Sequence, residues 1–170
     1  MRSATREWAR LSAGRLRELA EQSSVIAFLN WSELRGSSSI WKGFLREILP
    51  ECERYGVRLA LHPDDPPVSP LKGISRILTS ADAFKRVFSL RESPMNGMTF
   101  CQGCFATMGE DIPASIRRFG KEKIFFVHFR DVQGTRERFQ ETFHDDGKTD
   151  MYEAMKTYYD MELLENAKPQ

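Results

Sequence analysis

Ile124-Phe125-Phe126-Val127-His128-Phe129 is apolar at every position but one. A strand wetted on one face alternates apolar and polar residues, whereas a strand covered on both faces reads as a continuous apolar run. This run therefore predicts a strand held between two layers, as in parallel α/β sheets. Upstream, Asp111 to Phe119 reads as a helix with Pro113 in its first turn and Gly120 at its end. Before it come a short strand at Met98–Phe100 and a helix from Thr79 to Leu90, opened by a Thr79/Asp82 capping pair. Val57 to Leu61 is a compact strand, and Trp41, Phe44, Leu45, Ile48, Leu49 and Cys52 form the apolar stripe of another helix. Downstream, Asp150 to Leu164 reads as a helix with Asp150 and Glu153 as its capping pair. Near the start, residues 6–22 are helical by the spacing of Trp8, Leu11, Leu16 and Leu19. Val25–Leu29 reads as a strand, and Gly36-Ser37-Ser38-Ser39 as a short linker. Strand and helix alternate, which is the pattern of parallel α/β structure.

The 170 residues are enough for one core or for one piece of a larger domain. Hydrophobic residues make up 41% and charged residues 29%, as in ordinary globular proteins. A net charge of +1 gives no electrostatic footprint for nucleic acid or an anionic membrane. The longest apolar runs, Ile124–Val127 and Val25–Leu29, are far short of a membrane span. Arg2 to Ala20 is basic and amphipathic without an apolar stretch, so it does not read as a secretory signal, and Glu7, Glu18 and Glu21 argue against an organelle presequence. Three cysteines cannot all pair within the chain, and reduced thiols in a cytoplasm are the expectation.

The three histidines lie in the C-terminal two thirds. His62 directly follows the strand Val57–Leu61, Cys101 directly follows the strand at Met98–Phe100, and His128 lies near the end of the strand Ile124–Phe129. The C-terminal edge of a parallel sheet is where ligands bind and catalytic groups gather. Imidazole and thiolate together suit a divalent transition metal, and Asp145 or Asp146 can add a carboxylate. Singly, each has a plainer reading: a histidine in an apolar strand is often a satisfied core residue, and a cysteine a small buried hydrophobe. The shared position on three strands favours the metal. Cys104 and Cys52 read as structural.

His62-Pro63-Asp64-Asp65-Pro66-Pro67 cannot continue a strand, so a stiff, exposed loop is expected after His62. Arg130 either clamps a substrate carboxylate through its planar guanidinium or is simply exposed at a strand end. The segment from Asp131 to Thr149, about nineteen residues, reads as a polar loop of a length usually tied to function. Asp150 fits a helix cap better than a ligand.

Together these segments resemble the mannonate dehydratase family. The resemblance rests on Leu59-Ala60-Leu61-His62-Pro63-Asp64-Asp65-Pro66-Pro67, on Asn96-Gly97-Met98-Thr99-Phe100-Cys101-Gln102-Gly103, and on Ile116-Arg117-Arg118-Phe119-Gly120. It continues through Phe126-Val127-His128-Phe129-Arg130 and from Phe139 to Met151, in order, between about Ile40 and Tyr159. The resemblance implies a (β/α)8 TIM barrel of xylose-isomerase type that holds manganese or iron and dehydrates D-mannonate to 2-dehydro-3-deoxy-D-gluconate in hexuronate breakdown. By position it implies His62, Cys101 and His128 as metal ligands, an aspartate near His144 (Asp145 is the choice here) as the fourth, and His144 with Tyr158 as the acid-base pair. Arg130 would hold the substrate carboxylate.

A whole barrel takes about 250 residues, and the resemblance begins roughly half way round. The expectation is therefore a partial, truncated barrel of three to four βα units at residues 40–166. A partly helical segment of unclear origin (1–39) precedes it and a tail (167–170) follows. Exposed strand edges would then favour self-association. The competing readings are a xylose-isomerase-like sugar isomerase, against which the cysteine speaks, and an inactive or merely metal-binding fragment.

Overall fold

Four of the apolar runs are strands of one parallel sheet. The computed structural model describes the backbone of residues 26–29 and 38–164, and side chains from Trp41 to Leu164. Strands β1 (Ile26–Leu29), β2 (Arg58–Leu61), β3 (Asn96–Cys101) and β4 (Ile124–His128) lie side by side in chain order. Parallel neighbours need a crossover. These are supplied by helix α1 (Ser38–Tyr55) between β1 and β2, and by α2 (Ala81–Leu90) between β2 and β3. A short α3 (Gln102–Met108) and α4 (Ile112–Lys123) join β3 to β4, and α5 (Met151–Asp160) comes last. Four successive strands in one open parallel sheet make a partial barrel, with no closed barrel among the described residues. No described helix is long and apolar enough to cross a membrane.

The two faces of the sheet differ. Leu59, Leu61, Met98, Phe100 and Ile124 join the main core with Trp41, Phe44 and Ile48 of α1, Phe84 of α2, Phe105 of α3, Ile116 and Phe119 of α4, and Tyr158 of α5. Each such side chain taken from water contributes about 1.5–3 kcal/mol, and the helices are held to the sheet through this layer. In the register, Ala60 pairs with Gly97, Thr99 with Phe126 and Cys101 with His128. Alternation along β2 and β3, with a register shift after Met98 that skips Phe125 on β4, places these residues on the face away from the helices. There Phe126 remains 39% exposed, so the second cover expected from the apolar run 124–129 is only partly provided by the described residues.

Several local expectations are corrected. Ser80, not Thr79, caps α2, its side chain accepting from the Ala83 N–H at 3.2 Å. Ser38 and Ser39, read as linker, begin α1. Gln102–Met108, given no element from the sequence, is a helix: Gly103 and a length of seven residues hid the helical period. The long polar segment is not a plain loop, because β5 (Asp131–Gly134) and β6 (Phe139–Thr142) form an antiparallel hairpin. Four-residue strands such as Asp-Val-Gln-Gly show too little alternation to announce themselves. The loop after His62 is not uniformly exposed, since Asp64 is buried. The helix expected over 6–22 lies outside the described residues.

Candidate metal centre

His62, Cys101 and His128 arrive at one place because they end, or directly follow, three neighbouring strands on the face away from the helices. One ligand atom from each lies within 4.8 Å of the other two. The imidazoles of His62 and His128 face each other, with Nε2 of the first 3.2 Å from Nδ1 of the second. His62 Nδ1 lies 2.7 Å from the Pro63 carbonyl oxygen. That oxygen can only accept, so Nδ1 carries a proton and Nε2 is the nitrogen turned toward His128 and the cluster. A histidine oriented in this way by a backbone carbonyl is prepared for a metal.

Electrostatics point the same way. Cys101 is 1% exposed. Its thiol is held well below the ordinary range, first because the Cys104 thiol donates to it and then through His62 and His128, against the upward push of burial. Cys104 is pushed up in exchange, by donating to Cys101 and by burial. Burial lowers the His62 pKa, but its hydrogen bond to Cys101 and the thiolate charge outweigh this and the net direction is upward. A thiolate and two imidazoles converging on one spot form a soft-to-borderline donor set, which a divalent transition metal fits.

The other expected site residues are placed differently. Among the described residues no carboxylate joins the three-donor cluster, and Asp145 and Asp146 are exposed. His144 is exposed and stacks on Phe129, with ring centroids 5.8 Å apart and planes inclined by 17°. Tyr158 is 1% exposed and its hydroxyl donates to Gln102 Oε1 at 3.2 Å. Burial, and after it the Cys101 charge, push that phenol upward, so it keeps its proton. Arg130 donates from Nη1 to Asp65 Oδ2 at 2.8 Å and reaches toward the sulfurs of Cys101 and Cys104 at 3.9 and 3.7 Å. Glu141 Oε1 lies 2.6 Å from Arg130 Nε but off the N–H direction, so it is an ion pair without an in-line hydrogen bond. The stem of Arg130 crosses Gly103 so closely that a Cβ there would meet it at 2.8 Å.

Three supports escaped the sequence reading. Asp64 accepts from the Ile77 and Leu78 N–H groups at 3.0 and 2.8 Å and from Arg76 Nε at 2.7 Å, which fixes the loop that carries His62. Asp131 Oδ1 accepts from the N–H groups of Val132 and Thr149 at 2.8 and 3.2 Å, tying both ends of the hairpin segment. Its carboxylate packs where a Cβ on Gly147 would have to be. Cys104 packs with Cys101 and Met108, and its place three residues on from Cys101 was the available signal.

Comparison with known proteins identifies the family. A mannonate dehydratase from Thermotoga petrophila is 42% identical over 123 residues, covering 69% of this chain and 34% of the relative. One from Endomicrobium trichonymphae is 39% identical over 132 residues, covering 75% and 36%. The chain thus spans about a third of the length of these curated relatives. Among solved structures, mannonate dehydratase from Streptococcus suis serotype 2 superposes with a TM-score of 0.67 at 31% identity, over 78% of this chain and 44% of that one. A xylose isomerase domain protein from Planctomyces limnophilus, at 16% identity and a TM-score of 0.63 over 88% and 53%, shares the fold. The family model for D-mannonate dehydratase (UxuA) matches residues 11–170. The chain belongs to the D-mannonate dehydratase family.

Proposed function

We propose that this chain carries the metal-holding part of a dehydratase that converts D-mannonate to 2-dehydro-3-deoxy-D-gluconate, a step of hexuronate breakdown. The observation that carries the reading is the convergence of His62, Cys101 and His128, all within 4.8 Å, at the ends of three adjacent strands. These residues would hold a divalent transition metal, manganese or iron. Such an ion, when bound, supplies Lewis-acid stabilisation of the charge that develops as the proton beside the carboxylate is removed.

The chain's own groups do the rest. Arg130 binds the substrate carboxylate, which takes the place of Glu141, the more exposed of its two acidic partners. His144, exposed above Phe129, removes the C2 proton. Tyr158, kept protonated, gives its proton to the departing C3 hydroxyl, turning its hydrogen bond away from Gln102 to do so. Asp145, exposed in the segment that carries His144, would complete the donor set. The three cysteines, unpaired in the structure, fit a reducing cytoplasm.

A second reading, a metal-binding chain without turnover, is favoured by the burial of Tyr158, whose hydroxyl is held by Gln102. The two separate in one assay: release of keto acid from D-mannonate by the metal-loaded chain, with and without His144→Ala. The dehydratase reading expects release by the wild type, none by the variant, and equal metal in both. Loss of metal together with activity would make His144 a ligand and overturn its role as base.

A further inference from the structure

Cys101 and Cys104 form a Cys-x-x-Cys pair at the point where β3 turns into α3. Cys101 occupies the cap position of that helix and Cys104 its third residue. Those two side chains face each other across a first turn, the relation by which a cap side chain reaches the third residue. With Met108 they make a small sulfur cluster of their own, separate from the main apolar core. One nitrogen of Arg130 reaches toward both sulfurs, 3.9 Å from that of Cys101 and 3.7 Å from that of Cys104. Cys104 has no part in the donor cluster of His62, Cys101 and His128.

We propose that Cys101 and Cys104 are a dithiol that closes reversibly to a disulfide, a modification that removes Cys101 from the metal centre. Residues one turn apart carry their Cβ atoms about 5–6 Å from each other, while a disulfide holds them at about 3.5–4.5 Å. Closure therefore pulls the turn in by about 1–2 Å, and a bond under such strain is readily reduced. Both sulfurs are buried, but His62 and His128 beside Cys101 are half-exposed, so the oxidant that fits is small, such as hydrogen peroxide. The Cys101 sulfur attacks one peroxide oxygen and becomes a sulfenic acid, releasing water. Cys104 then attacks that sulfur and expels a second water, so two thiols and one peroxide become one disulfide and two waters. The loss of metal rests on the reading of Cys101 as a ligand, whereas closure of the disulfide does not.

The test treats the full chain with hydrogen peroxide, metal-free and loaded with manganese(II), in native buffer and in urea. It then counts thiols after denaturation and maps peptides by mass. The native metal-free chain should fall from three thiols to one, with a link between residues 101 and 104. Closure should be slower in urea, and dithiothreitol should restore all three thiols. In Cys104→Ser, Cys101 should instead pass to a sulfinic acid that dithiothreitol does not reverse. Equal rates in native buffer and urea, or equal behaviour of wild type and Cys104→Ser, would overturn the proposal. If closure occurs at the same rate with manganese bound, the disulfide stands and the metal reading of Cys101 fails.

Discussion

Replacing Asp64 with alanine removes the carboxylate on which the loop after β2 is built. Its side chain is 2% exposed and that of Arg76 is 11% exposed, with 2.7 Å between Oδ1 and Nε. The other oxygen accepts from the backbone N–H groups of Ile77 and Leu78. The substitution leaves a largely buried guanidinium without its counter-charge and takes the side-chain acceptor from two amides. Removing one partner of a buried pair costs about 3–5 kcal/mol, a large part of a domain's usual 5–15 kcal/mol. For a chain of about this size each kcal/mol moves the melting temperature by about 2–4 °C, so a drop of about 6–20 °C is expected. The assay is thermal and urea unfolding of wild type, Asp64→Ala, Arg76→Ala and the double variant. The double variant should cost less than the sum of the two single changes, because each single change strands the other group. A melting temperature for Asp64→Ala within about 1 °C of wild type, or strict additivity, would refute the claim that this pair holds the loop carrying His62.

Two further outcomes follow from burial. The Cys52 thiol is pushed up to about 12, first by burial and then by Glu53 and Glu51, so its proton is bound more tightly folded than unfolded. Its contribution to stability is complete below pH 9 and is lost between pH 9 and 12 as the unfolded chain ionises first. Urea unfolding across that window should show a slope that Cys52→Ala reduces, and an unchanged slope contradicts the assignment. Phe126 is 39% exposed on β4, the last strand of the sheet order. The wild-type chain should therefore associate in size-exclusion chromatography with light scattering, and Phe126→Lys should move it toward monomer. A monodisperse wild-type monomer with a sharp cooperative melt contradicts this.

The parallel sheet was legible because its strands are continuous apolar runs. Leu59 and Leu61 face one way and Ala60 the other, yet all three are buried, so the run shows in composition without help from spacing. The three-donor centre was legible for the same reason, since each donor stands where a run stops. The supporting residues were not. Asp64 and Asp131 are buried by partners distant in sequence or in a hairpin, and no local pattern distinguishes a carboxylate that accepts from backbone amides from one facing water. The α2 cap moved by one residue because Thr79 and Ser80 are both competent caps, and backbone geometry chose between them. Tyr158 is spaced to face either core or site, and its burial against Phe100 and Phe129, with ring centroids 6.3 and 6.2 Å away, emerges only in three dimensions.

The central claim is that His62, Cys101 and His128 hold a divalent transition metal. Elemental analysis of the purified chain, beside Cys101→Ser and His128→Ala with matched circular dichroism, tests it most directly. The account predicts about one divalent transition-metal ion per wild-type chain, the coordination such donor sets support, and its loss from both variants. Equal metal content in all three proteins would contradict it.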